Sequence, residues 1–183
     1  MILLRILIPV KLKLVILDAN VIIDLYRNGI WEKLISRYEV YVPSVVIRDE
    51  VIYFIGRDQQ KKELNIRDDV KNGKIKIIAA KMDDYLRLKQ KVIDDYYESL
   101  DPGELEAIAL LYSGEYEDYK FCTGDKAAIR ALTIFDLTFQ GISLEKLLQD
   151  ASIKFAGFAK NYSEQEFKKQ QGLALQEKDL FLK

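Results

Sequence analysis

Apolar and polar residues alternate along the chain in blocks whose spacing switches between that of strands and that of helices. Apolar runs predict strands at residues 12–17, 40–42, 75–79, 119–123 and 134–137. Helical spacing predicts helices at residues 21–38 with a break at Asn28-Gly29, 44–55, 57–71, 82–98, 101–112, 125–132 and 144–151. Because strands and helices alternate, we expect an α/β fold, a three-layer α/β/α sandwich with a mainly parallel central sheet.

The two ends of the chain depart from this alternation. Residues 1–10 (MILLRILIPV) are apolar, but Arg5 interrupts the run, Pro9 ends it and no small-residue cleavage site follows. We interpret them as a core strand or an upstream start of the reading frame, because they do not form a signal peptide and are too few to span a membrane. Residues 163–171 predict a polar helix with little to bury. We therefore expect one main domain over residues 1–151 and a helical C-terminal extension over residues 152–183.

Composition narrows the chemistry that the chain can perform. The 183 residues contain no histidine and a single cysteine, Cys122. These counts exclude a Ser-His-Asp triad, an imidazole base, a zinc ribbon and an iron–sulfur cluster. The 28 basic and 29 acidic residues nearly balance, which gives the whole chain no general attraction to nucleic acid or to an anionic membrane. A lone reduced cysteine is typical of a cytoplasmic protein, and we expect that location.

Two aspartates follow predicted strands at their ends. Asp18 comes directly after the apolar run LVIL, and Asp125 follows the strand YKFCT after a single Gly124. In a parallel sheet both positions lie at the carboxyl edge, where α/β proteins collect their chemistry. The structural alternatives are a turn at Asp18 and a helix N-cap at Asp125, a role that Asp often fills.

Two glutamates lie on the apolar faces of predicted helices. Glu50 faces inward with the apolar stripe of residues 47–54, and Glu104 with that of residues 104–111. An ionised carboxylate on a buried face is costly unless a positive group meets it. Residues 101–104 (DPGE) also form the sequence of a capping box, so Glu104 has a structural alternative that is compatible with a functional role.

Four carboxylates that converge on one edge of a sheet repel one another unless a cation binds between them. Oxygen ligands alone favour Mg²⁺ or Mn²⁺ over zinc or copper. Phosphoryl chemistry is the reaction that a carboxylate-held Mg²⁺ supports best. The pattern therefore predicts a phosphodiester substrate.

The order and spacing of these motifs resemble the PIN domain family, the Mg²⁺/Mn²⁺-dependent ribonuclease fold of VapC-type toxins and related prokaryotic proteins. The resemblance covers residues 13–151 and rests on LDANVIID, VPSVVIRDEV, DPGELEAIALL and FCTGDKAAIRAL, in this order. The acids of the family fall on Asp18, Glu50, Glu104 and Asp125. The resemblance implies that these four hold one or two Mg²⁺ or Mn²⁺ ions and activate a water for attack on an RNA phosphate.

The resemblance also implies roles for residues around the acids. Asn20 takes the place of a small polar residue of the family, and Thr123 begins its Thr-x-Asp motif. Both would orient the ligating carboxylates. Lys126 and Arg130, one helical turn apart, would meet the RNA backbone, and their alternative is a solvated helix face.

Two positions in the acidic motifs have further interpretations. Asp24 matches an acid that many members of the PIN family carry. The identity of the third acid stays open, because Glu106 and Asp101 are alternatives to Glu104.

The resulting hypothesis is a PIN-type endoribonuclease, either the toxin of a toxin–antitoxin pair or a housekeeping nuclease. Its expected partners are RNA, an antitoxin protein if it is a toxin, and a second copy of the chain. The apolar residues 2–8, or Phe155 and Phe158, would form the seam of that homodimer.

Three other protein classes compete with this hypothesis. A haloacid dehalogenase-like phosphatase needs an acid where this chain has Asn20. A receiver domain leaves Glu50 and Glu104 unexplained. An inactive PIN fold that binds RNA or protein is the third alternative, although all four acids are present.

Overall fold

The computed structural model describes residues 12–50, 53–55, 60–155 and 157–183, without the side chains of residues 12, 13, 49, 50 and 54. The segment 1–10, which we interpret as a core strand or an upstream start, therefore lies outside the described residues. Residues 2–8, one of the two expected dimer seams, lie outside them as well.

The described strands form one sheet and one separate hairpin. They are β1 (Leu12–Leu17), β2 (Tyr38–Pro43), β3 (Tyr53–Ile55), β4 (Lys61–Glu63), β5 (Ile75–Ile78), β6 (Lys120–Cys122) and β7 (Gly141–Ile142). Five of them pair in parallel in the order β5–β2–β1–β6–β7, and β3 pairs antiparallel with β4. The all-parallel sheet confirms the α/β fold predicted from the alternating pattern.

Helices cover both faces of this sheet. The described α-helices are α1 (Ala19–Arg27), α2 (Trp31–Ile35), α3 (Ile66–Lys71), α4 (Met82–Lys91), α5 (Asp94–Glu98), α6 (Pro102–Tyr112), α7 (Lys126–Ile134), α8 (Leu144–Asp150) and α9 (Glu164–Phe181). Val15 and Leu17 of β1 pack with α1, α2 and α8 on one face, whereas Ile16 packs with α6 and α7 on the other. This alternation along β1 produces the two cores of a three-layer sandwich. Among the described residues, no helix is both long and apolar enough to cross a membrane.

The predicted helix over residues 44–55 is wrong in its second half. Residues Val46–Glu50 form a single π-helical turn, and Tyr53–Ile55 forms β3. In the described part of the predicted helix over residues 57–71, β4, the partner of β3, occupies Lys61–Glu63, and the helix α3 begins at Ile66. Aromatic and β-branched residues favour a strand once a partner strand is available, and periodicity alone could not show that partner.

The predicted last strand over residues 134–137 is also wrong. Ile134 ends α7, Phe135 is buried in the core beside it, and Asp136 reverses the chain with a φ of 65°. The apolar run is therefore the buried end of a helix. The last strand of the sheet in chain order is β7 instead, and its Gly141 lies too close to Leu132 and Phe167 for a side chain.

The C-terminal segment changes two predicted helices. Val92 is extended and forms a β-bridge with Leu182, and the Ile93 N–H donates to the Phe181 carbonyl at 2.9 Å. This pairing divides the predicted helix over residues 82–98 into α4 and α5. The tail helix α9 continues to Phe181 and buries Phe167. The prediction of a tail with little to bury is therefore wrong.

Phe155 and Phe158, the other expected dimer seam, pack on each other with ring centroids 4.3 Å apart. Both are half-buried against the core that contains α1, α2 and α8. The homodimer stays a prediction.

Candidate functional site

The register of β1 and β6 brings Asp18 beside Thr123. The two strands pair in parallel with Leu17 opposite Cys122, and the Asp18 N–H donates to the Cys122 carbonyl at 3.1 Å. The Thr123 hydroxyl donates to Asp18 Oδ2 at 3.0 Å. Asp18 is 6% exposed and Thr123 is fully buried. The carboxylate at the end of β1 is therefore held in a defined orientation by the end of the neighbouring strand.

Asp125 is tied to the same hydroxyl and begins α7. Its backbone N–H donates to Thr123 Oγ1 at 3.0 Å. Its side chain caps the helix, because Oδ1 accepts hydrogen bonds from the Ala127 N–H at 2.6 Å and the Ala128 N–H at 3.2 Å. The structural alternative of an N-cap thus holds. Both capping bonds end on Oδ1, so the Oδ2 atom of this exposed side chain takes no part in the cap.

Glu104 reaches this edge of the sheet from the first turn of α6. The helix precedes β6 and runs back along the sheet, so its N-terminus lies at the carboxyl ends of the strands. Glu104 forms the capping box with Asp101, whose N–H donates to Glu104 Oε2 at 3.2 Å. Burial, followed by the charges of Asp125 and Asp18, raises the pKa of Glu104 to about 8. Three of the predicted acids therefore share one electrostatic environment.

Glu106, an alternative third acid, has a different position on α6. Its Oε1 accepts from the Ser44 hydroxyl at 2.7 Å, and its Oε2 accepts from the Val45 N–H at 2.8 Å. The Ala80 N–H lies 3.4 Å from Oε1. Glu106 thus ties together the chain segments that follow β2 and β5, and both its oxygens are occupied.

Asp101, the remaining alternative, is exposed at the N-cap of α6. Burial and the charges of Asp125 and Asp18 together raise the pKa of Glu104. This coupling favours Glu104 as the third acid.

Glu50 ends the π-helical turn after β2, and its side chain lies outside the described residues. Its convergence with the other acids remains a prediction. Among the described side chains, no three acidic or cysteine groups lie close enough together to hold a metal ion. The donor chemistry of the edge, carboxylate oxygens without a thiolate or imidazole, does fit Mg²⁺ or Mn²⁺.

The other predicted site residues lie around the acids in different environments. Asn20 is exposed in the first turn of α1, and Lys126 is exposed at the start of α7. Arg130 is half-buried, because its Nε donates to Gln170 Oε1 at 2.9 Å and its Nη1 lies 3.4 Å from Glu177 Oε2. The Arg130 guanidinium therefore joins α7 to α9, which favours a structural role over contact with RNA.

Sequence reasoning missed Asn161 and Tyr162, which pack on the loop between Thr123 and Asp125. Tyr162 is buried, and a Cβ added to Gly124 would lie 2.4 Å from Tyr162 Cε1. Asn161 Nδ2 donates to the Gly124 carbonyl at 3.2 Å. The glycine was the one local signal that another segment comes close.

Tyr96 is a second residue near the acids that the sequence did not single out. Its hydroxyl is buried and has no hydrogen-bond partner among the described residues. Burial raises the pKa of Tyr96, and the charge of Glu104 raises it further, whereas Arg130 lowers it. The tyrosine stands in an acidic stretch of α5 that gives no hint of this position.

Comparison with known proteins adds no family to this description. No family model matches the chain, and no curated protein matches it. The structure supports an α/β fold with a five-stranded parallel sheet flanked by helices.

Proposed function

We propose that the protein is a Mg²⁺- or Mn²⁺-dependent endoribonuclease of the PIN type. The observation that carries the proposal is the coupling of three carboxylates at the carboxyl edge of one parallel sheet. Asp18 and Asp125 follow adjacent strands, and their charges raise the pKa of Glu104, which is itself buried. Negative charges gathered in this way are stabilised best by a hard divalent cation.

Asp18, Glu104 and Asp125 would hold the cation, together with Glu50 as the fourth predicted ligand. When bound, the ion supplies the activation of a water molecule and the stabilisation of negative charge on the phosphate and on the leaving oxygen. The proposal depends on the shared edge of the sheet and on the electrostatic coupling of the carboxylates. It does not depend on a preformed set of ligands, since no three acids among the described side chains lie close enough together to hold a metal ion.

The residues of the chain contribute orientation and proton control. The Thr123 hydroxyl fixes Asp18 and also accepts the Asp125 N–H, so one side chain orients two of the acids. With a pKa of about 8, Glu104 carries a proton at neutral pH when no cation is present. Cation binding at this carboxylate would therefore release a proton.

Lys126 is the residue best suited to contact the RNA backbone. It is exposed one position after Asp125, where its ammonium can meet a phosphate. Histidine, the side chain that most often serves as base and acid in cleavage through the ribose 2′-hydroxyl, is absent from the chain, and the cation would occupy Glu104, whose pKa is about 8. We therefore expect products with 5′-phosphate ends.

Incubation with end-labelled single-stranded RNA tests the proposal. Cleavage should require Mg²⁺ or Mn²⁺, stop on addition of EDTA, and leave 5′-phosphate ends that a phosphate-dependent ligase accepts. Ends with a 2′,3′-cyclic phosphate, or full activity in EDTA, would contradict the mechanism. RNA binding without any cleavage would favour the inactive binding module, and hydrolysis of a phosphomonoester such as p-nitrophenyl phosphate would favour the phosphatase.

A further inference from the structure

The C-terminal segment reaches the candidate site just before α9 begins. A 3₁₀ turn, Lys160–Tyr162, lies on the loop that joins β6 to α7. The amide of Asn161 donates from Nδ2 to the Gly124 carbonyl at 3.2 Å. The ring of Tyr162 fills the space that a Cβ on Gly124 would need, with two ring carbons 2.4 and 2.6 Å from that position. The loop that presents Asp125 is therefore fixed from outside by the tail.

The same tyrosine also faces an acid of α1. Burial, followed by the hydrogen bond of its hydroxyl with the Asp24 carboxylate, raises the pKa of Tyr162 well above its usual range. The side chain of Asp24 also pairs with Arg27 Nη1, one turn further along the helix. Asp24 therefore interacts with both Tyr162 and Arg27.

The loop that carries Asp125 is consequently held by contacts on two sides. On the sheet side, Thr123 Oγ1 accepts the Asp125 N–H and donates to Asp18. On the outer side, Asn161 and Tyr162 enclose Gly124. Loss of the contacts on either side would move the Asp125 carboxylate relative to Asp18, and such a displacement of a ligand reduces metal affinity.

We infer that Asn161 and Tyr162 are positioning residues of the candidate metal site, which fix the Gly124 loop and the Asp24 carboxylate from the C-terminal segment. The inference rests on the proposed function, because it assigns these residues to the same cation. It makes the tail after residue 151 part of the site. Neither residue is expected to touch the RNA phosphate that reacts.

The full chain with single substitutions tests this inference. Tyr162→Phe keeps the ring on Gly124 and removes the hydroxyl from Asp24, whereas Asn161→Ala removes the hydrogen bond to the Gly124 carbonyl. The matched control is Tyr38→Phe. Tyr38 is as buried as Tyr162, at 4% exposed, but its hydroxyl donates to the Leu147 carbonyl at 3.0 Å. Tyr38 also begins β2, so it lies at the amino ends of the parallel strands, opposite the acids.

Binding of Mn²⁺ is measured by the loss of the electron paramagnetic resonance signal of free Mn²⁺, and RNA cleavage is titrated with Mn²⁺ in parallel. We expect about a tenfold weaker Mn²⁺ affinity for Tyr162→Phe and Asn161→Ala, with a matching rise in the Mn²⁺ concentration that gives half-maximal cleavage. Tyr38→Phe should leave both values unchanged, even if thermal stability falls by a similar amount in both tyrosine variants.

The two readouts separate failure of the inference from failure of the proposed function. Wild-type affinity for Mn²⁺ in Tyr162→Phe and Asn161→Ala would overturn the inference alone, while metal-dependent cleavage by the wild type upholds the function. A wild type that binds Mn²⁺ without cleaving RNA would overturn the function, and weaker binding by the variants would still support the positioning roles. A wild type that does not bind Mn²⁺ would overturn both.

Discussion

The Thr123 hydroxyl donates a hydrogen bond to Asp18 Oδ2 at 3.0 Å and thereby connects the ends of two adjacent parallel strands. The contact follows directly from the strand register, in which Leu17 lies opposite Cys122. The same oxygen of Thr123 accepts the backbone N–H of Asp125. One buried side chain therefore sets the orientation of one carboxylate and the start of the helix that carries another.

Replacing Thr123 with Val should destabilise the fold. The substitution keeps the size of the side chain but removes the donor to the buried Asp18 carboxylate and the acceptor for the Asp125 N–H. We expect the free energy of unfolding to fall by about 1–3 kcal/mol, measured by urea denaturation. Thr123→Ser retains the hydroxyl and should lose less. Equal stabilities of the Val and Ser variants would contradict this role of the hydroxyl.

Substitution of Glu106 should mainly reduce stability, whereas substitution of Glu104 should mainly reduce RNA cleavage. Glu106→Gln weakens the acceptor for Ser44 and Val45, so unfolding should become easier by about 1–2 kcal/mol while RNA cleavage stays within about tenfold of the wild type. Glu104→Gln should leave stability equal or higher, because a neutral amide does not have to take up a proton when the chain folds at neutral pH, and should reduce cleavage by at least ~100-fold. If Glu106→Gln instead caused the large loss of cleavage, and Glu104→Gln caused only a loss of stability, Glu106 would be the third acid.

Stability without metal should depend on pH through Glu104. Its pKa is about 8 in the folded protein and near 4.5 in the unfolded chain, so the folded protein binds the extra proton between these values. The free energy of unfolding contributed by this group should therefore fall as pH rises from about 4.5 to 8. In EDTA, the wild type should lose up to about 4 kcal/mol across this range relative to Glu104→Gln. Parallel pH profiles of the two proteins would show that the pKa of Glu104 is not raised.

Gly124 and Gly172 provide a matched pair of substitutions to Ala. A Cβ at Gly124 would lie 2.4 Å from the Tyr162 ring, whereas nothing lies within 4 Å of one at Gly172 in α9. We expect Gly124→Ala to lower the free energy of unfolding by about 1–3 kcal/mol. Gly172→Ala should raise it by about 0.5–1 kcal/mol, because Ala favours the helix. If Gly124→Ala is as stable as the wild type, the tail does not press on this loop.

Local patterns were sufficient to predict that Asp18, Glu104 and Asp125 lie at the carboxyl edge of the sheet. Asp18 and Asp125 follow apolar strands, and Glu104 lies both in a capping box and on an apolar stripe, so their neighbours in sequence define their positions. The choice between Glu104 and Glu106 could not be made in this way. It depends on Ser44 and Val45, which are about sixty residues away and occupy both oxygens of Glu106.

Long-range contacts also explain the wrong elements of the predicted fold. Val92 sits in a sequence that continues a helix, but its pairing with Leu182 makes it extended. Tyr162 lies just before the predicted helix over residues 163–171, where the sequence pattern predicts no element, yet it is buried against Gly124. In both cases the contact joins the tail to a segment far away in sequence, and local periodicity carries no information about which distant segments will pack together.

The most direct test of the central claim is the rate of Mn²⁺-dependent RNA cleavage by Asp18→Asn and Asp125→Asn. The matched control is Asp118→Asn, an exposed acid that precedes β6 at the opposite edge of the sheet. We predict that each of the first two variants remains folded and loses at least ~100-fold in rate, the scale of a lost electrostatic stabiliser, while Asp118→Asn keeps the wild-type rate. Wild-type rates for Asp18→Asn and Asp125→Asn, or no cleavage by the wild type at any Mn²⁺ concentration, would contradict the account.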